Sequence, residues 1–175
     1  MSPNLSAEAK RRILDAYRPE LLVAGHEDDL PTDEAYEALP LLGETSVWRR
    51  REPAQSSSIH PDLKLLLSTS GSTGSPRMVR LTARNVLSNA HQIVTALGID
   101  PAERAVTSLP LFYSFGLSVL HSHLVAGASV LLQDDSVVEP TFWEAVDEFG
   151  VTSISGVPQT FAALRRADLH HARPG

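Results

Sequence analysis

The sequence predicts an α/β fold, a largely parallel sheet with covering helices, on three observations. Strand-like and helix-like patterns alternate from Leu81 to the end of the chain, and helical crossovers of that kind join parallel strands. One helix is plainly marked, with Val86, Leu87, Ala90, Ile93, Val94 and Leu97 on a single stripe. Finally, the apolar run Leu63–Leu67 reads as a buried strand, opens into a loop rich in Ser, Thr and Gly, and is followed by an alternating strand-like stretch ending at Thr82.

Taken in order, Ser6 caps a first helix that runs to about Tyr17, with Ile13, Leu14 and Tyr17 as its apolar face and Pro19 as its stop. Leu21–Ala24 reads as a short buried strand. The acidic residues Glu27, Asp28, Asp29, Asp33, Glu34 and Glu37 read as a solvated connection, because a calcium loop needs oxygen ligands at alternating positions around a central Gly. Residues Ser46 to Arg51 form a strand at a charged sheet edge, where Arg49, Arg50 and Arg51 point alternately to opposite faces and cannot share one anion. The segment from Glu52 to Ser58 is a surface loop. Thr82 caps the striped helix and Gly98 supplies its left-handed end; His91 borders the stripe and receives no chemistry.

Arg104–Leu109 is the next strand, ended by Pro110. An apolar helix through about Val125 and a strand at 128–132 follow. His121 and His123 lie two apart on that helix, so their side chains diverge, whereas a helical zinc pair is spaced by four; helix packing accounts for them. Pro140 opens a helix with Phe142, Ala145, Val146 and Phe149 inward, Gly150 closes it, Val151–Ser155 is a strand, and Pro158 opens a last helix to about Leu169.

The loop between the strands carries the chemistry. Glycines let backbone N–H groups turn toward one point, and the hydroxyls of Ser68, Thr69, Ser70, Ser72 and Thr73 add donors, a concavity that favours an anion. A Walker loop would end in Gly-Lys-Ser/Thr, but Gly74 is followed by Ser75-Pro76-Arg77. A dinucleotide fingerprint would lead straight into a helix, but Arg77–Thr82 alternates like a strand. A flexible Ser/Gly linker is the plain alternative, and the flanking strands weigh against it.

This Thr-Ser-Gly-Ser-Thr-Gly-Ser-Pro-Arg stretch resembles the phosphate loop of the AMP-forming adenylating superfamily, which includes acyl-CoA synthetases, luciferases and peptide-synthetase adenylation domains. The family usually has Lys where Arg77 stands and often Gly where Met78 stands; Arg keeps the charge but offers a planar fork. The stretch Leu109-Pro110-Leu111-Phe112-Tyr113-Ser114-Phe115-Gly116-Leu117 is similar to a second family motif, followed here by Leu124-Val125-Ala126-Gly127-Ala128. Residues Ser155 to Phe161 are similar to the stretch before the family's adenine-binding motif.

The resemblance covers roughly residues 10 to 169 and implies the following. Thr69, Ser70, Gly71, Ser72, Thr73, Gly74 and Arg77 would hold the β- and γ-phosphates of ATP, with Mg²⁺ shielding them. Tyr113 would border the acyl pocket near the reacting carboxylate, and the residues themselves place Phe112 and Phe115 in the core. A carboxylic acid would attack the α-phosphorus to give acyl-AMP and pyrophosphate, and CoA or a carrier-protein thiol would take the acyl group. Family members are much longer and carry adenine, ribose and lid motifs that this sequence lacks. Residues 1–175 are therefore expected to form part of an amino-terminal domain, with no second domain. They would be a fragment or truncated form of such a ligase, inactive alone and completed by a chain supplying the missing motifs. The alternative is a non-catalytic module that binds nucleotide phosphates or completes a partner's site.

Composition narrows this further. A 42% hydrophobic, 21% charged chain of 175 residues is ordinary for a globular protein. A net charge of −6 argues against nucleic acid or an anionic membrane as a general partner. The absence of Cys excludes disulfides, thiolate ligands and a Cys nucleophile. With no membrane-length apolar run and no signal-peptide layout at Met1-Ser2-Pro3, a cytoplasmic location is expected.

Overall fold

The computed structural model describes residues 5–25, 34–40, 45–52, 59–68 and 78–167. The chain divides into two compact units, Met1–Val79 and Arg80–Gly175.

In the first unit, helix α1 (Ala7–Tyr17) starts where Ser6 Oγ accepts the Ala9 N–H at 3.2 Å. It ends at Arg18, which takes a left-handed conformation (φ 41°) one residue before Pro19 and donates its N–H to the Leu14 carbonyl. Strands β1 (Leu21–Gly25), β2 (Tyr36–Ala38) and β3 (Thr45–Arg50) form an antiparallel sheet in the order β1-β3-β2. Leu14 packs with Leu22 and Tyr36 beneath it, joined by Ala35 and Trp48.

Three expectations change here. The sheet is antiparallel rather than parallel, and β2 lies inside the acidic stretch read as a connection. Tyr36 is the reason: its ring is buried and its hydroxyl donates to the Pro19 carbonyl at 2.9 Å. Strand β3 is also central instead of an edge, because β2 covers its second side. The alternation of its arginines holds. Glu37 stands opposite Arg49 in the ladder and accepts from its guanidinium Nη2 at 2.6 Å and Nε at 3.0 Å, while Arg51 reaches the same carboxylate at 3.6 Å. Arg50 sits instead over the Tyr36 ring, 5.7 Å from its centre.

Strands β4 (Leu63–Ser68) and β5 (Met78–Thr82) make a two-stranded sheet, and the division between units falls inside β5. Leu63, Leu65, Leu66 and Leu67 are only half-buried, short of the buried strand that their run suggests. The loop between β4 and β5 lies outside the described residues.

The second unit follows the α/β expectation. Helix α2 (Ala83–Leu97) begins at a reciprocal cap in which Thr82 Oγ1 accepts the Asn85 N–H and Asn85 Oδ1 accepts the Thr82 N–H. It ends at Gly98 with φ 69°. Helix α3 (Ser114–Ala126) packs on α2. The sheet is parallel in the order β7-β6-β8, with β6 (Arg104–Val106) between β7 (Ser129–Leu131) and β8 (Ser153–Ile154). Helices α4 (Pro140–Glu148) and α5 (Pro158–Arg166) complete the unit. The sheets are thus small, and one of the three is parallel.

Phe142 and Val106, with 0% and 1% of their surface exposed, meet Val137 and Val146 at the centre of this core. Trp143 crosses Phe142 edge-on at 5.4 Å and donates its indole N–H to the Val137 carbonyl at 2.9 Å. Phe115 and Phe149, expected inward, are about half exposed. Phe149 falls one residue beyond α4, where the periodic inward face has ended. Phe115 lies in the first turn of α3 with 45% of its surface exposed. His123 is buried as a packing residue. Its Nδ1 donates to the Val119 carbonyl at 2.8 Å, and its Nε2 lies 3.6 Å from Glu103 and 3.5 Å from the Ser153 hydroxyl.

Two outcomes are expected. Phe142→Ala removes a fully buried ring and should lower unfolding stability by about 3–5 kcal/mol, read by denaturant titration against wild type. The Arg49 hydrogen bond and charge hold the Glu37 carboxyl below its ordinary range, with desolvation opposing and Arg51 assisting. A carboxyl with a lowered folded-state value stabilises the fold above its unfolded value and loses that contribution as pH falls through the lowered one. In Arg49→Gln, carbon-13 titration of Glu37 should return to the ordinary carboxylate range, and the acid limb of the stability curve should flatten in that window.

Candidate functional site

The carboxyl ends of parallel strands are where α/β sheets open clefts, since the backbone must leave the ladder there. Strand β6 ends at Val106, and Thr107 turns away from it. The Thr107 N–H still donates to the Leu131 carbonyl at 2.9 Å, and its hydroxyl accepts the Gln133 N–H at 2.8 Å. The Ser108 hydroxyl donates to the Ser155 carbonyl, tying this exit to the one that follows β8. Pro110 then removes a donor and ends extended pairing.

The chain re-enters helix at α3 through a tight turn. The Tyr113 N–H donates to the Pro110 carbonyl and the Tyr113 carbonyl accepts from Leu117, both at 3.1 Å. Gly116 is what lets this turn close. A Cβ there would lie 2.5 Å from the Pro110 oxygen and 2.6 Å from the Leu109 oxygen, closer than any real contact. Glycine inside a helix costs about 1 kcal/mol against Ala, so its presence needs such a reason.

These features leave a narrow cleft lined by Val106, Thr107, Ser108, Leu109, Gly116, Val119 and Ser155. No titratable side chain lines it, and the Thr107 and Ser108 hydroxyls are already engaged by backbone. With about 10 Å³ of free volume it has room for about one water molecule, so it is a packing gap with two ordered hydroxyls and no group for proton transfer. Sequence reasoning quoted Gly116 and Ser155 within motifs without giving either a role. Gly116 carries a signal only once it is seen as the third residue of α3, and Ser155 carries none.

Of the site residues expected from sequence, Tyr113 is described. It is the residue before the first turn of α3, half exposed, with its ring 4.7 Å from that of Phe112 and tilted by 44°. It stands beside the slot and is not one of the side chains lining it. Thr69, Ser70, Gly71, Ser72, Thr73, Gly74 and Arg77 lie outside the described residues. Their donor set is nonetheless definite: hydroxyls, glycine amides and one guanidinium, with no carboxylate. That set fits a polyphosphate and does not fit a bare cation. Among the described residues no group of three His, Cys, Asp or Glu side chains could hold a metal ion, and no helix is long and apolar enough to cross a membrane.

Known proteins resemble the chain over part of its length. The chain is 34% identical over 116 residues to a sulfoacetate–CoA ligase of Cupriavidus necator, a match covering 63% of this chain and 21% of that protein. It is 30% identical over 108 residues to a luciferin 4-monooxygenase of Nipponoluciola cruciata, covering 60% and 20%. The chain thus spans about a fifth of the length of these relatives. Among solved structures, O-succinylbenzoate coenzyme A synthetase of Bacillus subtilis, in complex with ATP and magnesium ion, superposes with a TM-score of 0.52 at 34% identity. That match covers 58% of this chain and 21% of the synthetase. The profile of the family described as AMP-binding enzyme matches residues 1–174, and the chain belongs to that family.

Proposed function

We propose that this chain is part of an AMP-forming acid–thiol ligase, the part that grips the outer phosphates of ATP and supplies one wall of the acyl pocket. The observation that carries the reading is the match of the AMP-binding enzyme family to residues 1–174. The narrow gap at the carboxyl ends of β6 and β8 would be one edge of the acyl pocket, the rest of which other residues complete.

In the proposed reaction a carboxylate oxygen attacks the α-phosphorus of ATP, the bond to the β-phosphate oxygen breaks, and acyl-AMP and pyrophosphate result. A thiol, that of CoA or of a carrier protein, then displaces AMP. Hydroxyls and amides of Thr69, Ser70, Gly71, Ser72, Thr73 and Gly74 would hold the departing pyrophosphate, and Arg77 would offset its charge. Magnesium, arriving with the nucleotide, supplies further neutralisation. Tyr113, half exposed just before α3, would border the acid, as the family motif implies. Completing the adenosine site and aligning the α-phosphorus falls to residues that another segment or chain contributes.

A second reading, a phosphate-binding module completed by a partner, draws on exposed apolar side chains of the second unit, Leu87, Leu97, Leu124 and Phe161. The two readings part on activity.

Pyrophosphate added to the labelled chain should shift amides from Ser70 to Gly74 and AMP should not; shifts elsewhere alone would remove the loop from the proposal. In ATP–pyrophosphate exchange, the chain by itself should be silent with any acid, because lost alignment is worth ~7–11 kcal/mol. Addition of a chain carrying the downstream family segments should produce exchange, and persistent silence with a correctly folded complement would favour the module. In the complemented enzyme, Tyr113→Ala should change the ratio of kcat/KM between a short and an aromatic acid by roughly tenfold or more.

A further inference from the structure

The first unit contains a cleft of about 270 Å³ that the ligase reading leaves without a use. It is lined by Arg11, Leu14, Asp15, Arg18, Ala35, Tyr36 and Arg50. Among the described residues, three guanidiniums converge on it against one carboxylate. The carbonyl end of α1 adds a partial negative charge of about half a unit near Arg18, so more than one positive charge is left over.

Each arginine arrives by a separate route. Arg11 projects from α1. Arg18 comes from the residue that ends that helix, the one non-glycine with positive φ among the described residues. Arg50 comes from central strand β3. Its neighbours Arg49 and Arg51 are drawn to Glu37, while Arg50 faces the other way, over the Tyr36 ring. Its Nε donates to the Glu52 carbonyl at 3.0 Å, and this leaves both terminal nitrogens of its fork available. Among the described residues no hydrogen bond or ion pair engages the Arg11 or Arg18 guanidinium. Tyr36 directs its own hydroxyl to Pro19, so it offers the cleft a ring face and a fixed wall.

We propose that this cleft binds a small phosphate-bearing molecule through Arg11, Arg18 and Arg50, none of which belongs to the β4–β5 loop. Forked guanidiniums match the paired oxygens of a phosphate, and a dianion is what a surplus of this size balances. A monoanionic carboxylate would leave charge uncompensated. The volume admits the phosphate and a group of a few atoms, which the Tyr36 wall would flank. Asp15 sets a limit on affinity by repelling the anion.

The test uses the whole chain, isotopically labelled and titrated with inorganic phosphate, phenyl phosphate and acetate. Saturable amide shifts are expected in α1 near Asp15–Arg18 and at Arg50 with both phosphates, at lower concentration than any with acetate. Arg50→Gln and, independently, Arg11→Gln on the open helix face should each weaken phosphate binding about tenfold. Asp15→Asn should tighten it, and Arg12→Gln, whose partner is Glu8 at 2.6 Å, should leave it unchanged. Arg77→Gln should leave the cleft shifts as they are, which separates this site from the loop. Shifts confined to residues 69–77, equal losses in Arg12→Gln and Arg11→Gln, or acetate binding as tightly as phosphate would each overturn the proposal. A phenyl phosphate affinity above that of inorganic phosphate would assign the ligand as an organic monoester, and equal affinities would assign the free ion.

Discussion

Strand β6 can present Thr107 and Ser108 at the rim of the parallel sheet because Val106, its last residue, is sealed against Phe142 from α4. A three-residue strand has little ladder to hold it. What fixes its end is a buried aromatic ring of large area, locked in turn by the Trp143 indole bonded to the Val137 carbonyl. The slot beside Gly116 inherits its width from that arrangement. If the Val106–Phe142 contact loosened, the Ser108–Ser155 bond and the turn through Pro110 would lose the frame that sets their spacing.

Helix limits were the most legible part of the sequence. Ser6, Thr82, Gly98, Gly127 and Pro140 each stand where the chain starts or stops a helix, because capping is a local act between residues three or four apart. Strand partners were less so. The parallel sheet of the second unit could be argued from alternation, but nothing near Tyr36 announces that it will pair with Arg50, and the acidic residues around it speak for solvent. Pairing is decided by distant residues, and a one-ring anchor leaves no period to read.

The candidate site divides along the same line. Tyr113 was found through a motif and stands at the head of α3 as a half-exposed ring. The side chains that line the slot beside it come from β6, its exit, α3 and the end of β8, segments as far apart in sequence as Val106 and Ser155. A slot made by packing has no linear signature. Gly116 came nearest to one, since a residue that weakens a helix is retained there where two carbonyls crowd it.

The central position of β6 also makes the two halves of the sheet unequal in sequence range. Its link to β7 closes a separation of 25 residues, whereas the link to β8 closes one of 48. The extra entropy of the longer loop is modest, about 0.6 kcal/mol for a doubling, and the β8 segment offsets it with Thr152 bonded to the Arg104 backbone, Ile154 packed on the core and the Ser155 carbonyl bonded to Ser108. The slot, which needs Ser155, thus rests on the longer-range of the two strand pairings in this sheet.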